Sequence, residues 1–474
     1  MFAELDEALS RRLGAEPLRR SLLLSALGLC ALTAATLPLV ADEAYYLWWA
    51  TSPELGYLDH PPAVMLWAWL SERLWGPRAS SLLSALAAGW LLYDCARALK
   101  LQRAPLLPLV VLLTPFGVAL SVLLTPDVPL ALGWCVTLWA WARLRPVEAG
   151  LGAALMLWSK PSALLPLATL ALAWLWRDRR LSRARRLRGL CGVSAITLCL
   201  YAPQLWWSSA HDWLPWSFQA GRPLGHFGLI EWLASQLWLI SPFWAYYGLR
   251  EGLRALSEPS RQEPEAGLSA SLALIGLGQL VAWALISLVM RLEGNWSALA
   301  WPPLLLLCLD RLPALDLARA LRWGATLSAP LFALPLIHLL IPLHLGPPRD
   351  ALGLSVEVQR CLEAAAELEG LERAHQVIAA RYQEMALLWR AKRQEPSPSY
   401  EPFELSYLNA SGRRSSEFER RPESLPQVAR CDFLYLGPPQ WLQERCDGQL
   451  RPLAAERCLL SDELTATLCR CDPQ

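Results

Sequence analysis

The chain has 474 residues, of which 54% are hydrophobic, and it contains 37 Pro and 25 Trp. Apolar runs recur through most of its length, and this composition predicts an integral membrane protein. The formal net charge is only +1, so the charge balance does not suggest a nucleic-acid partner.

The apolar segments predict a series of membrane spans. The first follows Arg19 and Arg20 and has the positive flank of a signal peptide, but it exceeds the roughly 7 to 15 residues of a signal-peptide core, so we predict an uncleaved first span. About 20 residues are needed to cross a bilayer. The segments predicted as spans lie near 21–41, 79–96, 104–124, 128–142, 189–208, 230–249, 267–290, 296–309 and 323–345.

Residues 146–176 form either one long helix with Lys160 in its middle or two short helices that meet at Lys160. Basic residues decide between them, because cytoplasmic loops collect Arg and Lys. With two helices, eleven spans and a cytoplasmic N-terminus, the inner segments hold 22 Arg and Lys residues and the outer loops hold 5. A single helix would place the seven arginines of 177–188 outside. The pattern therefore predicts a polytopic α-helical membrane protein with about 11 transmembrane helices.

The position of Lys160 in this topology is unusual. Only 14 residues lie between Arg145 and Lys160, which as a helix cover about 21 Å of a hydrocarbon layer about 30 Å thick. We therefore predict that Lys160 lies below the outer surface, in a cavity lined by protein.

The pattern changes at about residue 349 to an amphipathic helix and short strand-like stretches, "HQVIAA", "FELSYLN" and "CDFLYLG". We predict a transmembrane domain over 1–348 and a small soluble α/β domain over 349–474, which the same charge count places in the periplasm. An even number of cysteines there would suit disulfides, although their pairing cannot be read from the sequence. These six are Cys361, Cys431, Cys446, Cys458, Cys469 and Cys471.

Ionisable residues collect on the predicted outer face, and at membrane depth such groups indicate a functional site by default. Each also has a structural alternative. Asp42 is a natural helix N-cap, with Glu43 favoured by the helix dipole. Asp59 suits an Asx turn, Asp127 suits a cap of the next span, and Lys160 could extend to the membrane surface.

The combination of carboxylates and cations outside the cytoplasm restricts the chemistry. Nucleotides are not expected there, and the chain has no phosphate-binding Gly-rich loop. Energy for group transfer would then arrive on a lipid phosphate. A carboxylate can take the proton of an incoming hydroxyl, while a lysine or arginine stabilises the departing phosphate. Sugar transfer from a lipid-phosphate donor fits both requirements.

Several motifs occur in the order and spacing of a known family. They are "DEAYYLWW", "LGYLDHPPAVMLW", "LTPDVPLALGW", "GAALMLWSKPSALLPL", "HDWLPWSFQAGR" and "RLEGNWSALAWP", followed by "VIAARYQEMALLWR" and "CDFLYLG" in the tail. Over nearly its whole length the chain resembles bacterial GT-C membrane glycosyltransferases of the family 39 type. This group includes protein O-mannosyltransferases, lipid A aminoarabinose transferases and rhizobial lipopolysaccharide galacturonosyltransferases.

The resemblance implies roles for residues at the matching positions. Asp42 would be the general base, and Asp127 would support the base or bind the acceptor. Residues for acceptor binding would be Glu43, Asp59 and His60, and the donor phosphate would contact Lys160 and Arg222. Further positions of the site would be His226, Glu293 and Asn295.

The chain departs from the family pattern at three positions. Gly294 replaces a common Pro, Ser297 replaces a second one, and Pro223 follows Arg222 where His is usual, although His226 is close in sequence. These departures affect the expected geometry of the donor loop and the sugar preference, and not the reaction class.

The sequence thus predicts an inverting glycosyltransferase of the bacterial inner membrane. It would move a sugar from a polyprenyl phosphate to a hydroxyl of lipid A or lipopolysaccharide, another glycan or a protein. No Cys/His metal cluster is present in the sequence, so we predict no required cofactor and leave a divalent metal ion open. The alternatives are a transporter or flippase of a lipid-linked anionic substrate, for which inverted repeats and midplane binding groups would be expected, and a non-catalytic membrane scaffold.

Overall fold

The computed structural model describes residues 2–12, 15–101, 103–176, 178, 180–221, 224–258, 264–341, 376–379, 382–394, 404–407, 416–420, 433–437, 449–452 and 465–470. The chain divides into two compact units. The first comprises Met1–Ala35 and Glu54–Leu334, and the second comprises Thr36–Pro53 and Pro335–Gln474. The boundary predicted between residues 348 and 349 lies outside the described residues and stays a prediction.

The helices before residue 342 are numbered in chain order. They are α1 (Phe2–Arg12), α2 (Glu16–Thr36), α3 (Ala41–Trp49), α4 (Ala63–Arg73), α5 (Ala79–Ala98), α6 (Leu107–Leu112), α7 (Pro115–Val122), α8 (Asp127–Arg143), α9 (Pro146–Ser159), α10 (Leu164–Trp176), α11 (Arg183–Ala210), α12 (Leu214–Ala220), α13 (Leu229–Ile240), α14 (Pro242–Ser257), α15 (Pro264–Ser287), α16 (Trp301–Arg311) and α17 (Ala314–Leu340). Short 3₁₀ helices cover Ala104–Leu106, Pro161–Ala163 and Gly294–Ala300.

Several of these helices are long and apolar enough to cross a membrane. Among the described residues, four meet both conditions, namely α2, α5, α11 and the Gly267–Ser287 part of α15. The pair Ala104–Leu112 and Pro115–Val122, bent by 75°, would make a fifth span. A polytopic helical fold is therefore observed, while the number of about eleven spans stays a prediction.

Two predicted spans are interrupted in the structure. The segment 104–124 breaks before α7, where the Thr114 hydroxyl accepts a hydrogen bond from the Gly117 amide at 3.1 Å. The segment 230–249 breaks at Ser241, whose φ is 87°, directly before the first residue of α14, Pro242. In both places a hydroxyl residue followed by Pro starts a new helix, which is the usual sequence signal for a helix N-terminus.

Residues 146–176 form two helices, α9 and α10, as predicted. The break falls at Lys160, whose backbone is extended, with φ −152° and ψ 142°. Pro161 explains it, because proline disfavours a helical conformation for the preceding residue.

Helix α8, which begins at Asp127, packs closely against α9, which Lys160 directly follows. A Cβ atom on Gly133 would lie 2.8 Å from the carbonyl oxygen of Gly152, so the two backbones approach as only glycine permits. The surrounding core of the first unit is rich in tryptophan, and Trp134, Trp244 and Trp301 are among its largest fully buried side chains. The site residues at the ends of these helices are therefore held by a well-packed scaffold.

The second unit contains a five-stranded sheet. Its strands are β1 (Gln376–Ala379), β2 (Glu404–Tyr407), β3 (Phe433–Gly437), β4 (Gln449–Pro452) and β5 (Thr465–Arg470), in the order β2-β1-β3-β5-β4. Strand β1 pairs in parallel with β2 and β3, whereas β5 is antiparallel to β3 and β4. The first three strands coincide with the three stretches predicted as strands.

Two helices accompany this sheet, α18 (Tyr382–Gln394) and α19 (Glu417–Arg420). Helix α3 packs against α18 within the same unit. Of the six C-terminal cysteines, Cys469 lies in β5 and the other five lie outside the described residues. Their pairing stays a prediction.

Candidate active site

Three predicted site residues from separate segments meet at one carboxylate in the first unit. The Lys160 ammonium donates to Asp127 Oδ1 at 2.7 Å. The Asn295 side-chain amide donates to Asp127 Oδ2 at 2.6 Å. We call these three residues the Asp127 cluster. Both oxygens of the carboxylate are thus engaged, one by a cation and one by a neutral donor.

The ion pair of this cluster is buried. The side chains of Lys160 and Asp127 are 8% and 9% exposed, respectively. Lys160 therefore does not extend to a surface, and Asp127, the first residue of α8, uses its carboxylate in the cluster. Taking two charges out of water costs several kcal/mol per ion before their attraction and hydrogen bonds compensate. Such a pair contributes little net stability, which favours a functional reason for it.

Asn295 is held in place by helix α13. The Gln236 amide donates to the Gly294 carbonyl at 2.9 Å, and the Trp301 indole donates to Gln236 Oε1 at 3.0 Å. The Trp232 indole donates to the Ser297 hydroxyl at 2.9 Å. These contacts fix both sides of Asn295 along the chain.

These contacts also account for two departures from the family pattern. An added Cβ on Gly294 would lie 2.6 Å from Ser235 Cβ, a distance that real Cβ atoms do not reach. Glycine is therefore required while Ser235 faces it. Ser297 supplies a hydroxyl that a proline could not, and this hydroxyl receives the Trp232 hydrogen bond.

The loop that carries Asp59 and His60 contacts another predicted motif. Gln219, from "SFQAGR", donates to the Asp59 backbone carbonyl at 3.1 Å. The Tyr57 amide donates to the His60 carbonyl at 3.2 Å, and Asp59 is buried. The Asp59–His60 loop and the "SFQAGR" motif, which are predicted to belong to one site, are thus in direct contact through the Asp59 backbone.

Other predicted positions in the first unit have different surroundings. His226 Nε2 lies 3.1 Å from Glu231 Oε2 in an exposed pair. Glu293 is exposed and directly precedes the 3₁₀ helix Gly294–Ala300. Arg222 lies outside the described residues, so its predicted contact with the donor phosphate stays a prediction.

Asp42 and Glu43 belong to the second unit. Glu43 Oε2 accepts a hydrogen bond from the Val40 amide at 3.0 Å, so Glu43 stabilises the start of α3. Asp42 is the second residue of that helix and not its N-cap, in contrast to the structural alternative. The Tyr382 hydroxyl donates to Asp42 Oδ1 at 3.0 Å.

Two of the residues that support the site were not singled out in the sequence. Gln236 is only 4% exposed, and a glutamine within the apolar stretch "IEWLASQLWLI" is a signal that could have identified it, because a polar group there needs partners. Tyr382 carries no comparable signal, because a tyrosine at the start of an amphipathic helix is common.

A cavity of about 500 Å³ lies beside the cluster in the first unit. Its wall includes Val128, next in the chain to Asp127, and Ala298, from the 3₁₀ helix that contains Asn295. Most of the remaining wall is apolar, and Trp134, Ile240 and Leu27 contribute to it. The cluster therefore adjoins space suited to a hydrocarbon chain.

A metal site would need several ligating side chains close together in the part of the chain that the structure describes. Within that part, no group of three or more His, Cys, Asp or Glu side chains is placed to hold a metal ion.

Comparison with protein families identifies a stretch that includes both ends of the ion pair. Residues 59–207 match the family model described as dolichyl-phosphate-mannose-protein mannosyltransferase. Comparison with curated proteins gives no significant match.

The chain has the polytopic GT-C membrane fold, so the fold predicted from the motifs is confirmed. The solved structure of ArnT from Cupriavidus metallidurans in the apo state matches with a TM-score of 0.67 and 13% identity, over 97% of this chain and 100% of that one. The same protein bound to undecaprenyl phosphate matches with a TM-score of 0.67 and 12% identity, over 97% and 100% of the two chains. The Archaeoglobus fulgidus oligosaccharyltransferase in the apo form matches with a TM-score of 0.51 and 11% identity, over 80% and 64%.

Proposed function

We propose that this protein transfers a hexose or pentose from a polyprenyl phosphate to an acceptor hydroxyl on the extracytoplasmic face of the bacterial inner membrane. The observation that carries the proposal is the buried Lys160–Asp127 pair, held by Asn295 beside an apolar cavity. A carrier with a hydrocarbon chain and a phosphate matches the chemistry of both parts. The relative ArnT has been solved with undecaprenyl phosphate, which supports this donor class.

In this proposal Lys160 binds the donor phosphate. An ammonium has three N–H donors, and the contact with Asp127 Oδ1 uses one of them, so donor capacity is left for a phosphate oxygen. Asp127 and Asn295 fix the position of the ammonium before the donor arrives. The fixed charge stabilises the negative charge that develops as the phosphate departs, without reorganisation at that moment. Asp127 thus acts through Lys160 as a positioning residue, and Arg222 would add a second phosphate contact.

The transfer itself breaks one bond and forms one. The bond between the anomeric carbon and the phosphate oxygen breaks, and polyprenyl phosphate leaves. The acceptor oxygen attacks in line from the opposite face, so the configuration inverts through an oxocarbenium-like state. Asp42 takes the acceptor proton as general base, while the acceptor is bound by Glu43, Asp59 and His60. The motif order and the family resemblance support this assignment of Asp42.

Reconstitution of the full chain in liposomes with a labelled polyprenyl-phosphate sugar and an acceptor extract tests the proposal. We expect label on the acceptor with the wild type, and a loss of at least about 100-fold with Asp42→Asn, the size typical of removing a general base. Movement of the intact carrier across the bilayer without bond cleavage would instead favour a flippase. Unchanged surface glycans in cells that carry Asp42→Asn would favour a scaffold.

A further inference from the structure

We propose that Tyr382 is a positioning residue for Asp42, and that the C-terminal domain thereby supports the catalytic base of a membrane enzyme. This inference rests on the proposed role of Asp42 and assigns a function to the C-terminal domain. The two residues are separated by 340 positions in the sequence, yet the Tyr382 hydroxyl donates to Asp42 Oδ1 at 3.0 Å.

Both partners of this hydrogen bond lie at the starts of helices. Asp42 is in the first turn of α3, and Tyr382 is the first residue of α18. Glu43 fixes the start of α3 through the Val40 amide, so the backbone that carries Asp42 is itself held. A hydrogen bond to one carboxylate oxygen then restricts the rotation of the Asp42 side chain.

Aromatic packing holds the two helices in this arrangement. Tyr45, one turn after Asp42, lies with its ring centroid 4.9 Å from that of Tyr382. The buried Phe418 of α19 lies 5.5 Å from Tyr45 and 4.0 Å from Trp48. Such ring pairs contribute about 0.5–1.5 kcal/mol each beyond the area they bury. Helices α18 and α19 of the C-terminal domain therefore both pack against one face of α3.

The hydroxyl of Tyr382 has a chemical consequence for a base as well as a geometric one. A carboxylate accepts up to about four hydrogen bonds, so a hydrogen bond from Tyr382 at Oδ1 is compatible with a role of Asp42 as proton acceptor. A donor that faces the charged carboxylate stabilises its ionised form, which is the form a general base requires. Tyr382 is therefore suited both to orient Asp42 and to keep it ready to accept a proton.

The test compares Tyr382→Phe with the wild type in the reconstituted full chain. The ring and its packing remain, and only the hydroxyl is lost. We expect kcat to fall about tenfold, the factor that corresponds to one hydrogen bond to a charged group, with little change in KM for the donor. The acidic limb of the pH–rate profile should move to higher pH, because the ionised carboxylate loses a donor. A matched control is Tyr246→Phe, which removes a hydroxyl from an exposed tyrosine of α14 near Arg250 and should leave both kcat and the profile unchanged.

Two results would overturn the inference. One is a Tyr382→Phe enzyme with wild-type kcat and pH profile while Asp42→Asn is inactive, in which case the proposed function stands and the positioning role fails. The other is a loss of activity with an unshifted profile, matched by Phe418→Leu, which would mean that Tyr382 serves only the folding of its domain. If the Asp42→Asn enzyme transfers sugar at the wild-type rate, the proposed role of Asp42 as general base is wrong. This result is distinguishable from the two above, because in it the loss of the Asp42 charge has no effect.

Discussion

Variants that remove one charge or both charges of the buried Lys160–Asp127 pair distinguish its effect on stability from its effect on sugar transfer. In Lys160→Met the carboxylate of Asp127, with a side chain only 9% exposed, keeps Asn295 as a neutral partner and loses its cation. In the double variant Lys160→Met/Asp127→Leu no charge remains to be buried. The single variant should thus be less stable than the double variant, although it carries fewer changes.

The expected magnitudes follow from the burial of the pair. Breaking a buried pair by removing one partner costs about 3–5 kcal/mol, whereas replacing both partners by apolar residues is often neutral. We expect about 3 kcal/mol for Lys160→Met, and a double variant within about 1 kcal/mol of the wild type, since half-buried Asn295 loses one acceptor. Arg145→Met is the matched control, because its pair with Glu148 is more accessible, at 54% and 33% exposure, and should cost less than about 1 kcal/mol.

Unfolding of the purified variants in mixed micelles, followed by tryptophan fluorescence against increasing denaturing detergent, measures these differences. Sugar transfer is assayed in parallel. Both Lys160 variants should lack transfer, although only the single variant is unstable. If the double variant is as unstable as the single one, an unpaired buried charge is not the cause. If it is stable and active, Lys160 does not bind the donor phosphate.

Two further predictions concern the segment that holds Asn295. Gly294→Ala should destabilise the fold by about 1–3 kcal/mol through overpacking, because its Cβ would meet Ser235, and Ser235→Gly in the same chain should restore most of the loss in the same detergent titration. Asn295→Asp should lower transfer more than Asn295→Ala, because a second carboxylate beside Asp127 repels it and competes for Lys160. Equal transfer rates for these two variants would show that the charge at residue 295 is irrelevant.

The sequence predicts much of the fold because membrane spans and helix breaks have strong local signals. The division at Lys160 follows from the distribution of arginines and from Pro161, and the structure has α9 and α10 as predicted. The breaks at Thr114 and Ser241 were missed. Each has a hydroxyl residue before Pro, but the apolar run continues across this pair in both segments, so hydropathy alone predicts one unbroken span.

The candidate site was less predictable, since its contacts join residues that are distant in sequence. The sequence predicts Asp127, Lys160 and Asn295 as site residues from their chemistry and motifs. Their arrangement around one carboxylate depends on the packing of α8 against α9, which the sequence does not give. The sequence also favours Asp42 as the N-cap of α3, whereas the N-cap is Val40, whose amide donates to the carboxylate of Glu43. Tyr382 could not be predicted from the sequence, because only the folded chain brings its hydroxyl to Asp42.

The release of free polyprenyl phosphate tests the central claim most directly. Liposomes that contain the full chain, a labelled polyprenyl-phosphate sugar and an acceptor are sampled over time, and both products are quantified. The account predicts one polyprenyl phosphate released for each sugar transferred, with the anomeric configuration inverted, and neither product with Lys160→Met/Asp127→Leu. Sugar transfer that persists in this double variant, or a product with retained configuration, would contradict it.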